Sequence, residues 1–200
     1  GTGKTICLLA AALSWRERVE EDARLATGGA KPTRIVYASR THSQLTKVIS
    51  ELSNSRFAPR MTVLGSRQQL CIHPAVESAK PTSKNAVCRS LVNANRCKHY
   101  EAVAPFVAVV PHAPVVMDIE DMVSSGKREN VCPYYLSRER VKTAEIAFMP
   151  YNYLVDVSVR RYMATELEGA VLIFDEAHNL DAVCADACSC DLREREVEDA

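Results

Sequence analysis

The sequence predicts an α/β fold: a parallel sheet covered by helices on both faces, built beside a phosphate-binding loop and interrupted by a small inserted domain. Three observations carry this. Short apolar runs alternate with stretches of helical period, the pattern of strands joined by helical crossovers. The chain opens on GTGKT (residues 1–5), the last part of a G-x-x-x-x-G-K-[ST] loop. Residues 71–132 lose periodicity and gain proline, cysteine and basic side chains, a composition shift that marks an insertion.

The elements follow in order. After GTGKT, the apolar residues 6–15 and the charged residues 16–24 read as one helix with a wet C-terminal half. Gly28, Gly29 and Pro32 end it. RIVYAS (34–39) is a short buried strand. Residues 43–53 form a helix, because Leu45, Val48, Ile49 and Leu52 recur at i, i+3, i+4, i+7. Residues 61–64 are a second strand. Past the irregular insert, a helix from 133 to about 143 and a strand at 145–149 restore the pattern. AVLIF (170–174) is a continuous apolar strand leading into DEAH (175–178). The boundaries are therefore motor domain 1–70, insert 71–132, motor domain again 133–192, and a charged end at 193–200.

A hydrophobic fraction of 47% is ample for a core. The net charge of zero hides an asymmetry. Residues 52–100 carry eight bases and one acid; residues 175–200 carry nine acids and two bases. The basic stretch suits either a solvated face or a polyanion track, whereas the acidic end suits no polyanion. The most apolar stretch, 102–117, is broken by Pro105, Pro111 and Pro114 and is shorter than the ~20 residues of a spanning helix, so no membrane partner is expected. A chain that starts inside a phosphate loop is expected to be an internal fragment.

In GTGKT, Gly1, Thr2 and Gly3 would let backbone N–H groups wrap phosphates, with the helix dipole behind them. Lys4 would reach the β- and γ-phosphates and the Thr5 hydroxyl would ligate Mg²⁺, which makes ATP the expected nucleotide. Asp175 and Glu176 follow a buried strand, at the edge where open α/β sheets place ligands. Asp175 would hold Mg²⁺, Glu176 would orient and deprotonate the attacking water, and His178 would link nucleotide state to a neighbouring domain. The pair alone could be an acidic helix cap; in order with GTGKT it reads as the second half of a nucleotide motor.

Cys71, Cys88, Cys97 and Cys132 are spaced C-x16-C-x8-C-x34-C, which is not a CxxC zinc pattern. They could be buried structural thiols, a zinc site or an iron–sulfur site, and spacing alone does not choose. An insert without a clear apolar face needs a staple. Cys184, Cys188 and Cys190 offer only three thiols in an acidic segment, and Cys7 reads as packing. His73 and His99 follow Cys71 and Cys97 by two residues and read as hydrogen-bonding neighbours.

Together GTGKT, IVYASRTHSQL (35–45), VLGSRQQLCIHP (63–74), VCPYYLSRE (131–139), FMPYNYLVD (148–156) and VLIFDEAHNL (171–180) resemble the superfamily 2 iron–sulfur DNA helicases of the XPD type over essentially the whole chain. ASRTHSQL, SRQQLCIHP and DIEDMVSSGKRENVCPYYLSR look most like the branch that acts at telomeres. The resemblance implies a RecA-like first motor domain with an inserted [4Fe–4S] domain held by the four cysteines. It implies Arg40 and Thr41 as grips on single-stranded DNA phosphates. With the basic segment, the expected DNA contacts become Arg40, Thr41, Arg67, Lys84, Arg89, Arg96 and Lys98. It further implies ATP-driven 5′–3′ movement on DNA, action on single strands and junctions such as D-loops, telomeric loops or G-quadruplexes, and a nuclear location, with replication or repair proteins as unspecified partners. The adenine-reading segment and the second motor domain with its arginine fingers are absent, and residues 193–200 would approach an arch domain. Alternatives are a sibling helicase of repair or cohesion, and a P-loop ATPase with a zinc-stabilised binding insert.

Overall fold

The structure, a computed structural model, describes residues 3–25 and 33–189. Its centre is a four-stranded, all-parallel sheet in the order β2-β3-β1-β4. The strands are β1 (Ile35–Ser39), β2 (Met61–Val63), β3 (Ile146–Pro150) and β4 (Val171–Phe174). Alternate residues face opposite layers. On one face Ile35, Tyr37, Met61, Val63, Ile146 and Phe148 pack against Leu9 and Leu13 of α1 (Lys4–Leu25) and Leu45, Val48, Ile49 and Leu52 of α2 (His42–Ser53). On the other, Val36, Ala38, Ala147 and Met149 pack against Tyr151, Leu154 and Met163. Both faces of β1, β2 and β3 are thus buried, as parallel strands require, whereas β4, expected as a buried strand, is an edge strand with Leu172 44% exposed.

The anticipated strands and long helices appear within about two residues of their sequence bounds. The insert differs: it is helical, not irregular. After α3 (Arg67–Leu70) come α4 (Pro74–Glu77), α5 (Lys84–Asn93), α6 (Lys98–Glu101), α7 (Val103–Val109) and α8 (Ile119–Glu129), then α9 (Pro133–Val141). Four of these helices have seven residues or fewer, too short for a period to emerge from the sequence. Nor is the insert a separate globule. Val103, Met122, Val131 and Cys132 join the same apolar cluster as Ile35 and Phe148, bridged by Leu70, Tyr134 and Leu136. Gly126 makes the α8–α9 contact possible, since a Cβ there would lie 2.4 Å from Pro133 Cγ and 2.8 Å from the Val131 carbonyl. The chain beyond β3 adds α10 (Asn152–Val155), α11 (Val157–Arg160), α12 (Ala164–Leu167) and, after β4, α13 (Leu180–Cys188).

The edge of the sheet where the strands begin is closed by charge. Arg16, 4% exposed, donates to the Thr33 carbonyl and pairs with Glu20 and Glu145. Glu145 in turn accepts the Arg60 N–H at 2.7 Å. A buried guanidinium is tolerable because it is hydrogen-bonded and paired. A cavity of about 330 Å³ opens here, among Leu13, Arg16, Phe57 and Arg60, at the opposite strand ends from Asp175.

Candidate functional site

Functional side chains gather where the strands end. β4 delivers Asp175, whose backbone N–H donates to the Ala38 carbonyl of β1 at 2.9 Å. The turn that follows holds Glu176 in the left-handed region (φ 52°, ψ 47°). For a non-glycine residue this backbone is strained, a feature that clusters at functional sites. Asp175 is partly buried and its carboxyl is raised, first by burial and then by the Glu176 charge. Beneath it lie two phenols, Tyr37 of β1 and Tyr151 after β3. Both are almost fully buried, and neither hydroxyl has a hydrogen-bond partner among the described residues. Burial and the charges of Asp175 and Glu176 hold both phenols in the neutral, proton-donating form.

From Glu176 a chain of contacts crosses the surface. The His178 ring meets a Glu176 carboxylate oxygen through Nδ1 at 3.2 Å. Its Nε2 lies 3.0 Å from Asn179 Nδ2. Asn179 Oδ1 accepts from Arg40 Nη1 at 3.2 Å. Arg40 is exposed in the turn leaving β1. Thr41 beside it caps α2: its hydroxyl accepts the Gln44 N–H, and the Gln44 side chain accepts the Thr41 N–H. Sequence reasoning assigned no role to Tyr37, Tyr151 or Asn179.

Of the phosphate loop, Gly1 and Thr2 lie outside the described residues. Gly3 has φ +68° and open space where a Cβ would stand, and Lys4 begins α1. A helix of 22 residues therefore starts at the phosphate-binding glycine. Lys4 is exposed and makes no ion pair with Asp175 or Glu176.

The four insert cysteines converge. Cys71 feels the charges of Cys88 and Cys97, Cys97 that of Cys88, and Cys132 those of Cys71 and Cys97. Burial, then these neighbours, raise the thiols of Cys71, Cys97 and Cys132, the last to about 11. Backbone N–H groups oppose the rise: those of His73, of His99 and Tyr100, and of Tyr134 and Tyr135 point at the three sulfurs. All cysteines of the described residues are free thiols. Among the described residues no group of three or more His, Cys, Asp or Glu side chains is arranged to hold a metal ion.

Arg67 stands beside Cys88. Its guanidinium stacks over Tyr134 at 4.2 Å and donates to Asn85 Oδ1 and the Tyr135 hydroxyl, both at 3.3 Å. Its Nε is buried without a partner. Burial lowers this guanidinium, but the hydrogen bond to Tyr135 and the proximity of Tyr134 and Cys88 outweigh it. An orphaned cationic donor against a thiol, with backbone N–H groups on the other sulfurs, fits a thiolate-ligated anionic group. Arg67 is therefore committed inside the cysteine region. The other basic candidates differ: Arg89, Arg96 and Lys98 are exposed and Lys84 is half-buried, three of them on the insert helices and Arg96 in the loop between α5 and α6. Cys190 and residues 190–200, with the rest of the acidic run, lie outside the described residues. Cys184 and Cys188 sit one turn apart on α13.

Comparison with known proteins agrees with this geometry. The DEAD_2 family profile matches residues 37–197. The regulator of telomere elongation helicase 1 of Bos taurus is 43% identical over 98% of this chain and 19% of its own length. The Homo sapiens protein of that name is 42% identical over 96% of the chain and 18% of its length. An Arabidopsis thaliana homolog is 42% identical over 96% and 21%. The chain thus spans about a fifth of the length of these relatives. A solved structure described as a truncated XPD superposes with a TM-score of 0.55 at 19% identity, covering 92% of this chain and 47% of its own, so the two share a fold.

Proposed function

This chain belongs to the DEAD_2 family, and we propose that it is the first motor domain of an ATP-dependent DNA helicase. The observation that carries the reading is the acidic pair at the end of β4, joined by hydrogen bonds to Arg40 at the end of β1. A nucleotide site and a nucleic-acid contact then share one edge of one sheet. Mg²⁺-ATP, when bound, supplies the phosphoryl group and the divalent charge that neutralises it. The chain's residues do the rest. Lys4 places a positive charge at the β- and γ-phosphates, Thr5 and Asp175 offer oxygen ligands, and Glu176 takes the proton of the attacking water. Arginines that complete charge stabilisation come from a second motor domain.

The insert would carry a [4Fe–4S] cluster on Cys71, Cys88, Cys97 and Cys132. Support comes from the mutual proximity of the four thiols, their N–H donors and the Arg67 guanidinium. We extend the reading to 5′–3′ translocation on single strands, to dismantling of D-loops, telomeric loops or G-quadruplexes in telomere maintenance, and to the nucleus. The names of the relatives support the telomere part of this reading; direction, substrate structure and location follow from the resemblance of the motifs.

The test is DNA-stimulated ATP hydrolysis by the protein that carries this chain. Lys4→Ala should abolish it. Glu176→Gln should retain nucleotide binding and lose turnover, because the metal ligand survives and the base does not; hydrolysis at the normal rate would overturn the assignment. Protein prepared without oxygen should be brown and carry about four irons and four sulfides. Stoichiometric zinc in their place would sink the cluster.

A further inference from the structure

We infer that Asn179 is a positioning residue that ties the nucleic-acid contact Arg40 to the catalytic base Glu176, holding that base at rest until a strand arrives. The inference rests on the helicase reading above and adds to it how the two sites communicate.

The argument is one of hydrogen-bond direction. Arg40 can only donate, so the Asn179 oxygen must face it, as the 3.2 Å contact has it. That choice turns the Asn179 NH₂ group toward His178 Nε2, 3.0 Å away. An amide NH₂ donates, so Nε2 must be the bare, accepting nitrogen of the ring. In a neutral imidazole the proton then sits on Nδ1, which lies 3.2 Å from a Glu176 carboxylate oxygen and donates to it. Every bond in the chain points the same way, from guanidinium to carboxylate. The second Asn179 N–H is engaged as well, with the Glu176 carbonyl at 3.2 Å, so the same amide clasps the strained turn. Reversing the amide would set NH₂ against guanidinium and oxygen against the Nε2 lone pair, so Arg40 fixes the orientation of the whole chain.

This arrangement engages one oxygen of the carboxylate that would accept a proton from water and so fixes the direction in which the base points. All members are surface groups, and hydrogen bonds between such groups are individually weak. A phosphate of a bound strand competes directly for the exposed Arg40, with a full negative charge against a neutral amide. Once Arg40 moves to phosphate, Asn179 loses the partner that orients it, the His178 donor is no longer held, and Glu176 is freed for the nucleotide. The coupling would therefore be a release rather than a push.

Two substitutions that cut the link at different members test it. In Asn179→Ala the link is gone. ATP hydrolysis without DNA should rise toward the stimulated rate, and the ratio of stimulated to unstimulated kcat should fall severalfold. The KM for ATP and single-strand affinity should be unchanged. In Arg40→Ala the link is cut at its other end and the phosphate contact is lost with it, so the unstimulated rate should rise in the same way while single-strand affinity falls. Circular dichroism should match wild type for both. An unstimulated rate and a stimulation ratio within twofold of wild type in Asn179→Ala would overturn the inference, as would equal loss of both rates at a constant ratio. Absence of any DNA-stimulated hydrolysis in wild type would instead overturn the helicase reading beneath it.

Discussion

The Tyr37 hydroxyl is buried near the Asp175 charge and has no hydrogen-bond partner among the described residues. The residue is 0% exposed, so no bulk water supplies one. Asp175 is the acceptor within its electrostatic reach, and a neutral phenol that donates there once a metal ion is bound would steady one carboxylate oxygen and leave the other for the metal. Tyr37→Phe removes the hydroxyl and keeps the ring that packs on Phe148 at 5.7 Å. Loss of one hydrogen bond to a charged group costs ~1.5 kcal/mol, about tenfold in an equilibrium constant. The Mg²⁺ concentration for half-maximal hydrolysis should rise by about that factor, while the melting temperature and the KM for ATP stay near wild type. A Mg²⁺ titration decides; an unchanged midpoint means Tyr37 serves packing alone. GTGKT and DEAH were legible in the sequence because phosphate and metal chemistry demand fixed residue types at fixed local spacing. Tyr37 was not, because its contact with Asp175 crosses from β1 to β4 through strand register, which no local spacing encodes. Arg67 shows the converse. Its charge suggested a phosphate contact, but only the fold reveals the tyrosines and the thiol around it.

Elements were legible in proportion to their length and burial. α2 announces itself through four apolar residues on one face and its capping box. α8 carries the same signals, Met122 and Gly126 one turn apart behind the Asp118 cap, within a stretch whose prolines and cysteines suggested irregular chain. The segment joining α7 to α8, residues 110–118, has no secondary structure; Val116 and Met117 pack against the core and His112 ties it to the sheet. His112 bonds the Met61 carbonyl of edge strand β2 through Nε2 and the Thr143 hydroxyl through Nδ1, both at 2.9 Å. The carbonyl can only accept, so Nε2 donates to it, and a neutral ring leaves Nδ1 as an acceptor toward the hydroxyl. Burial, aided by Arg140 and Arg60, lowers its pKa below the ordinary 6.5. A folded-state pKa below the unfolded value gives stability that is complete above 6.5 and is lost as pH falls through the lower, folded value. His112→Gln keeps a donor and an acceptor but cannot titrate. Urea midpoints should therefore fall less steeply below pH 6.5 in the variant than in wild type; parallel acid limbs would show that His112 does not titrate on unfolding.

Across the whole molecule, charge is sorted by region. Lys84, Arg89, Arg96 and Lys98 lie on α5, on α6 and in the loop between them, away from the acidic pair of β4. Basic side chains free of packing duties suit backbone tracking without sequence preference. Replacing these four by Ala should lower the slope of log affinity against log salt by up to ~0.7 for each single-strand phosphate that the variant no longer neutralises. Unwinding should fall more than DNA-independent ATP hydrolysis, since none of the four touches the nucleotide residues. A salt titration of single-strand binding checks this; identical slopes would make the insert a solvated face.

The pairing of β1 with β3 joins Ile35 to Ile146, with the whole cysteine region in between. Parallel partners that far apart in sequence are slow to meet, because the intervening chain must be gathered before any strand pairing repays its entropy. Compaction of the insert around the proposed cluster would shorten that path in advance. Such a centre would act on how fast the sheet forms as well as on what surrounds it. A chain deprived of it would spend longer with β1 and β4 as open edges, the condition in which strands of different molecules find one another first.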